Sequence, residues 1–470
     1  MDHEPVGPPG TPSLLRAIND RTALRLLADR GPLSRTQLGA LAGLSKPTAS
    51  QLMDRLEAAG LVESVLEPDV AAPGDVAGAA SAAPGPSAPG RTARRYRLRG
   101  GAAHVAGLDV TSARIVARVC DLAGRTVGET TLPTPGRSAS GTAVDRVRDA
   151  LSAVCEPAGL GLGALHHVVI GIGGAIDPGT GRLGFARHLP GWHEPELLAR
   201  LRAELTAPAT ADPRVDVEND VNLAAVAEQV VGAAAPEVSG SGLPGARDFV
   251  VLWVAEGIGA AVIIDGKLHR GATGGAGEVG YMPVPGAPVV RSIGRGTTGG
   301  FQALAGGPAV LKLARQYGFT GAEPQFAVAR AVEAYSGGGD GTDASARSRE
   351  SARRLLAELA DRLATGLAPL VAVLDPELIV LTGAVPRAGG APLRELVAEA
   401  LHGMAIPRPR LVESAVADNP VLAGAIQAAL AATREAVFST TSASTTSGST
   451  TAPVPTSGAS SGAVTPAVPA

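Results

Sequence analysis

Six residues, Val217-Glu218-Asn219-Asp220-Val221-Asn222, do most to restrict what this chain can become. Val215 and Val217 alternate as the end of a buried strand, and over 223–231 apolar residues recur at helical spacing. The strand therefore turns directly into a helix, with two amides and two carboxylates crowded into the turn. Such turns lie at the mouth of an α/β sheet, where a small polar ligand can meet several hydrogen-bonding groups at once. Capping alone accounts for one such residue, since Asn and Asp both satisfy orphan N–H groups at a helix start. Three in the turn point to a ligand rich in hydroxyls, with capping the alternative.

The N-terminal part reads as a separate module. Leu14, Leu15, Ile18, Leu24, Leu26 and Leu27 mark an amphipathic helix ending near Gly31-Pro32. Ser34 caps a short helix through Leu38 and Leu41, Gly43-Leu44 make a tight turn, and Ser45 caps a third helix with Pro47 in its first turn. In that helix Ala49, Leu52, Met53 and Leu56 face inward. Ser45, Lys46, Thr48, Ser50, Gln51 and Arg55 are left outward, able to meet phosphates or base edges. The alternation over 61–66 and the segment Tyr96-Arg97-Leu98 supply two wing strands, which completes a winged helix-turn-helix over 14–100. Between the strands, 67–90 is rich in Ala, Pro, Gly and Ser and is predicted to be a disordered insertion. Arg91, Arg94, Arg95, Arg97 and Arg99 follow. They suit the minor groove and flanking phosphates; the alternative is a solvated strand edge that resists aggregation. Helix-turn-helix, wing and arginines in this order predict DNA binding.

The rest of the chain, 104–438, alternates strands and helices in two lobes, 104–245 and 246–438. The first reads as an antiparallel meander at 105–110, 115–120 and 125–132, a helix at 142–155, and a buried strand entering the turn Gly171-Ile172-Gly173-Gly174. The second opens with a strand at 249–254, turns at Gly257-Ile258-Gly259, and makes a hairpin at Asp265-Gly266. A strand at 378–381 and a closing helix at 421–438 end it, and 439–470 is predicted to be a disordered tail. At 470 residues and 45% apolar content there is enough core for about three domains. Two cysteines, Cys120 and Cys155, exclude a disulfide framework or a Cys-based zinc site and read as inert core thiols. The net charge of −3 excludes a wholly basic nucleic-acid binder, although arginine is concentrated locally. The start, Met-Asp-His-Glu-Pro, lacks a leader pattern, and no apolar run is expected to span a bilayer, so a cytoplasmic location without a membrane partner is expected.

Four segments, in order, resemble the ROK family of sugar kinases and sugar-responsive repressors. They are Gly171-Ile172-Gly173-Gly174-Ala175-Ile176-Asp177, Leu189-Pro190-Gly191-Trp192, Glu218-Asn219-Asp220-Val221-Asn222, and 254–281 with Gly257, Gly259, Gly271, Gly277 and Gly280. With Asp375-Pro376-Glu377-Leu378-Ile379-Val380 the likeness spans about 104–438. It implies an α/β fold: a winged helix-turn-helix followed by a two-lobed actin-like (RNase H-like) domain, as in the family's repressor branch. It also implies that Asn219, Asp220 and Glu278 hold sugar hydroxyls, with Asp220 at the position of the kinases' base, and that Gly173 and Gly174 bring backbone close to the sugar. A turn that needs positive φ is the alternative for each glycine. Tyr281 and Gln302 stand at further sugar-contacting positions of the family, and Trp192 could stack on a sugar face or anchor the core.

The departures from the family pattern lie on the nucleotide side. The kinases' first phosphate loop, Asp-x-Gly-Gly-Thr, here reads Asp109-Val110-Thr111-Ser112-Ala113-Arg114, which lacks the glycines of a phosphate cradle. Glu256 replaces a threonine in the second loop; a carboxylate ~4 Å from a phosphate oxygen costs about 4 kcal/mol per charge pair at an effective dielectric near 20. A third glycine-rich element is reduced to Thr382-Gly383-Ala384. The family's zinc positions appear as Tyr281, Ile293, Arg295 and Gly300, a set that cannot hold zinc. The sequence therefore predicts a non-enzymatic repressor without cofactor or metal. Its partners would be operator DNA and a sugar or sugar-phosphate effector, and it would act as a homodimer or homotetramer whose fit to paired half-sites changes with ligand. An ATP-dependent sugar kinase carrying a DNA-binding domain, or a ligand-independent DNA-binding dimer, are the competing readings.

Overall fold

In a computed structural model the described residues are 12–68, 92–134, 142–176, 183–184, 192, 196–205, 214–236, 245–291, 299–337 and 343–444. Of the insertion expected at 67–90, Glu67 and Pro68 instead end a strand and 69–90 lie outside the described residues, as do Arg91, Ile293, Arg295 and the tail from 445 onward. The chain forms two compact units: 1–98 with 435–470, and 99–434.

The first unit is built on three helices. Pro12–Arg30 buries Ala23, Leu24 and Leu27. Ser34 caps Arg35–Ala42 through a reciprocal pair: its hydroxyl accepts from the Gln37 N–H at 3.2 Å, and the Gln37 side chain accepts from the Ser34 N–H at 2.9 Å. Gly43, at φ 65°, takes the left-handed step that ends this helix, and Ser45 caps Lys46–Ala58. The expected inner face of that helix, Ala49, Leu52, Met53 and Leu56, is buried. Strands Val62–Pro68 and Thr92–Leu98 pair antiparallel, Ser64 opposite Tyr96, and Leu33–Ser34 adds a short third strand to the other edge of Thr92–Leu98. A three-helix core with a two-stranded wing is the winged helix the sequence predicts.

The second unit repeats one plan twice. In the first sheet the meander His104–Val110, Arg114–Asp121 and Thr126–Pro133 is extended by two parallel strands, Leu165–Ile172 and Arg214–Asn219. In the second, Phe249–Val254, Ile258–Ile264 and Lys267–Leu268 form the meander, and Leu378–Thr382 and Arg410–Glu413 are the parallel additions. The hairpin at Asp265-Gly266 takes positive φ at both residues, 50° and 71°, as its right-handed twist requires. Parallel strands need crossovers, and helices supply them. Ala143–Cys155 buries Val147, Leu151 and Val154 against the first sheet, while Asp343–Leu374 and Ala384–Met404 cover the second. Trp192 is 1% exposed within the first core, so the anchor reading holds and the stacking one does not. Cys120 and Cys155 are buried thiols, and burial pushes the Cys155 thiol up to about 11.

The last helix, Pro420–Ser444, continues past 438, and its residues from Glu435 group with the first unit, where Glu435 accepts from Arg25 at 3.0 Å and pairs with Arg21. It also corrects one expectation: Pro420–Ser439 is long and apolar enough, by composition, to cross a membrane. Half of that segment is buried inside the protein, with Val421, Leu422, Ala425, Ile426, Ala429 and Leu430 in its core.

Candidate sugar cavity and DNA-reading face

Turns that follow His104–Val110, Leu165–Ile172, Arg214–Asn219 and Phe249–Val254 line a cavity of about 520 Å³, within the ~300–1,000 Å³ usual for small-molecule sites. All seven residues expected from the sequence as ligand contacts, Gly173, Gly174, Asn219, Asp220, Glu278, Tyr281 and Gln302, line it. Their own bonding differs from expectation.

Asn219 caps helix Asp220–Val231: its Oδ1 accepts from the Asn222 N–H at 3.0 Å, while its Nδ2 donates to the Gly174 carbonyl at 3.1 Å. One side chain thus fixes the helix start and the glycine turn of the neighbouring strand. Gly174 adopts φ 126°, so the turn needs it for conformation; Gly173 carries no such requirement. Glu218 completes the turn, accepting from the Asn219 N–H and the Asn222 amide, both at 2.9 Å, and from Arg270 Nε at 2.6 Å. Capping and ligand readings therefore coexist: the amide of Asn219 is engaged, with one N–H and one lone pair to spare. Asp220 follows at the first helical position, its Oδ1 accepting from the Val221 N–H at 2.9 Å.

Glu278 reaches the cavity from the loop after Lys267–Leu268. That loop packs tightly at Gly277 (φ 94°), where a Cβ would stand 2.0 Å from the Ala260 carbonyl oxygen. Burial, and then the charge of Asp220, hold the Glu278 carboxyl above the usual carboxylate range. The two carboxylates are therefore electrostatically coupled across the space a ligand would take.

Gln302 is engaged in the same way as Asn219: its Oε1 accepts from the Ile258 N–H at 2.8 Å and its Nε2 donates to the Glu256 carbonyl at 3.1 Å, so its amide pins the Glu256-Gly257 turn while it lines the cavity. Glu256 is exposed on the cavity wall.

The first turn closes on itself. Thr111 Oγ1 accepts from the Arg114 N–H at 3.1 Å and the Ala113 N–H at 3.4 Å, and donates to the Arg114 carbonyl at 2.9 Å. The Ala113 and Arg114 N–H groups of this turn are thus already engaged. Behind them Asp109, 6% exposed, accepts from Asn419 Nδ2 at 2.6 Å, and Asn419 Oδ1 caps Pro420–Ser444 by accepting from the Leu422 N–H at 3.0 Å. Burial raises the Asp109 carboxyl, the Asn419 bond opposing it. Nothing local to the sequence signals a pair 310 residues apart.

In the first unit Ser45, Lys46, Thr48 and Gln51 are exposed on one face of the reading helix, and Ser50 is half-buried. Ser45 Oγ lies 2.8 Å from Thr48 Oγ1. Arg55 does not join them. Its Nε donates to Asp20 Oδ2 at 3.1 Å and its Nη2 to Oδ1, and Asp20 is 2% exposed, so this arginine locks the first helix to the third. Arg94 is exposed but forks onto Glu57 at 2.9 and 3.1 Å, and it shares the Tyr96 ring with Arg35, each 5.3 Å from the centroid. Arg97 donates to Glu63 at 2.7 Å, and Arg95 is half-buried.

Comparison with known proteins places these features in context. Residues 105–433 match the sequence model of the ROK family, and residues 18–71 that of the MarR family. The "Bifunctional enzyme NanE/NanK" of Brucella suis biovar 1 is 34% identical over 45% of this chain, and the match spans only 33% of that enzyme's length. The protein named "Putative xylose repressor" in Caldicellulosiruptor sp. (strain Rt8B.4) is 24% identical over 82% of this chain and 88% of its own. A crystal structure titled as a ROK family transcriptional regulator, homolog of the E. coli MLC protein, is 17% identical. It covers 92% of this chain and 99% of that one at a TM-score of 0.61, a likeness of fold.

Proposed function

Because the chain belongs to the ROK family, we propose that it is a sugar-responsive transcriptional regulator, whose winged helix binds operator DNA and whose cavity binds the sugar that alters operator affinity. The observation that carries this reading is the presence in one chain of a capped helix exposing Ser45, Lys46, Thr48 and Gln51 and of a cavity walled by Asn219, Asp220 and Glu278. The first set can donate to phosphates and base edges; the second accepts from vicinal hydroxyls. Similarity to a protein named as a xylose repressor, over most of both chains, supports the pairing.

In this reading the chain transfers no phosphate. The self-closed Thr111 turn and the Glu256 carboxylate support that, because the first takes up two backbone donors and the second sets negative charge on the wall. Operator DNA is met by a homodimer or homotetramer on paired half-sites, which sedimentation analysis of the full chain would test.

Fluorescence anisotropy on the DNA upstream of the chain's own gene, titrated with sugars at fixed salt, tests the whole reading. Operator affinity unchanged by a broad sugar panel would sink the sensing half. A kinase reading is favoured by one observation, Asp220 in the cavity wall. ATP-dependent phosphorylation of a sugar, lost in Asp220→Asn, would establish it instead.

A further inference from the structure

The chain holds two tryptophans, and the stacking role that the sequence offers Trp192 is closed to that ring by its burial in the first core. Trp253, the other, is the next-to-last residue of strand Phe249–Val254, is half-buried, and lines the cavity. Along one face of that strand Phe249, Val251 and Trp253 alternate, paired across the sheet with Ile263, Ala261 and Gly259. The cross-strand residues shrink toward the cavity and end on a glycine, so the position opposite the indole offers no side chain to cover it. A Cβ at Gly259 would stand 3.3 Å from Val221 Cγ2, a tight fit that keeps this position small. Apolar packing holds the rest of the indole from two sides: one cluster includes Val251 and Val221, the other Val105, Leu223 and Val421. An aromatic side chain fixed in this way has little freedom left to lose when a ligand lies against it.

The cavity wall is thus of two kinds, with hydrogen-bonding groups at Asn219, Asp220 and Glu278 and apolar surface at Val221, Trp253 and Ile258. A pyranose divides in the same way, into a rim of hydroxyls and ring faces of C–H groups. Resting on the sugar-sensing reading, we infer that Trp253 is a ligand-contacting residue whose indole takes the C–H face of a ring-closed sugar, and that this contact favours the closed ring over the open-chain polyol with matching hydroxyls. The polyol can satisfy the same polar groups, but it brings no rigid apolar face to an aromatic surface.

Isothermal titration calorimetry and tryptophan emission on the full chain, with aldoses and the alditol matched to each, test this. The expected result is saturable binding of at least one aldose, with a change in emission that disappears in Trp253→Phe, where only the buried Trp192 is left to emit. Trp253→Leu keeps apolar bulk and removes the aromatic face. It should weaken the aldose about tenfold and narrow the aldose-to-alditol affinity ratio by a similar factor, while Trp253→Phe keeps most of both. General loss of structure would lower both affinities and leave the ratio unchanged. A ratio unchanged in Trp253→Leu, or emission of the unaltered chain that does not move at saturating aldose, overturns the inference and leaves sugar sensing intact. Absence of heat with every aldose overturns sugar sensing itself, and the role of Trp253 with it.

Discussion

Charge is handled in opposite ways in the two units. In the winged helix acidic residues are matched to arginines: Asp20 to Arg55, Asp54 to Arg35 at 2.5 Å, Glu57 to Arg94 and Glu63 to Arg97. In the cavity, carboxylates gather and no cationic side chain lines the wall among the described residues. Paired charges hold a fold in place, or wait to exchange a carboxylate for a phosphate. Gathered like charges make folding harder, and they persist where a ligand is to be gripped. The pairs also differ among themselves. Asp20 is buried, so its bond is architectural; Arg94 and Glu57 are both partly exposed, and such a pair contributes only ~0–1 kcal/mol, so Arg94 can exchange its partner at little cost.

The largest expected effect follows from the buried pair. Asp20→Ala leaves Arg55 without its counter-ion between two helices and should destabilise the first unit by about 2–3 kcal/mol, the usual cost of a broken buried pair reduced for the partial exposure of Arg55. Urea denaturation followed by circular dichroism would measure it, and a loss below ~0.5 kcal/mol would place this pair with the exposed ones.

Glu278→Gln comes next and acts with two signs. Losing a carboxylate acceptor should weaken sugar binding about 10-fold or more, as for a hydrogen bond to a charged group. Stability should move the other way. The folded chain holds the Glu278 proton more tightly than the unfolded chain, so that contribution is complete below the usual carboxylate range and is lost as pH rises through the raised value. At neutral pH the ionised carboxyl is a burden that glutamine removes. Thermal unfolding should therefore occur at a higher temperature in the variant at neutral pH, and the gain should shrink on acidification. A gain independent of pH would mean that the carboxyl is not the source.

Arg94→Ala should lower DNA affinity and reduce the salt slope by about one, with little change in stability; Arg55→Ala should do the reverse. A salt slope that responds to Arg55 and not to Arg94 would invert the roles assigned to them. Smallest of all, Glu57→Gln frees Arg94 from its partner and should tighten DNA binding by less than about 1 kcal/mol, detectable by anisotropy at low salt.

Local chemistry made much of this fold legible. Ser34, Ser45 and Gly43 announce helix ends because a hydroxyl or a left-handed step acts on the next few residues alone, and Asp265-Gly266 marks a hairpin for the same reason. Strand positions followed from alternation and spacing, and the seven expected ligand positions line one cavity, four of them on turns at strand ends. What stayed hidden is side-chain partnership across the fold. Arg55 occupies an outward position of its helix by periodicity, yet a buried aspartate 35 residues earlier draws it in. Gln302 carries a sugar-compatible amide, and its bonds to the turn at Glu256 leave no trace in the local sequence. The membrane-length segment Pro420–Ser439 escaped notice because alanine, not leucine or valine, makes up much of it.

The turn at Thr111 has one further consequence. A loop whose own hydroxyl has answered its amides gains no order from a nucleotide and loses none without it. On the proposed sugar-responsive reading, the threshold for sugar should be the same whether ATP is plentiful or exhausted.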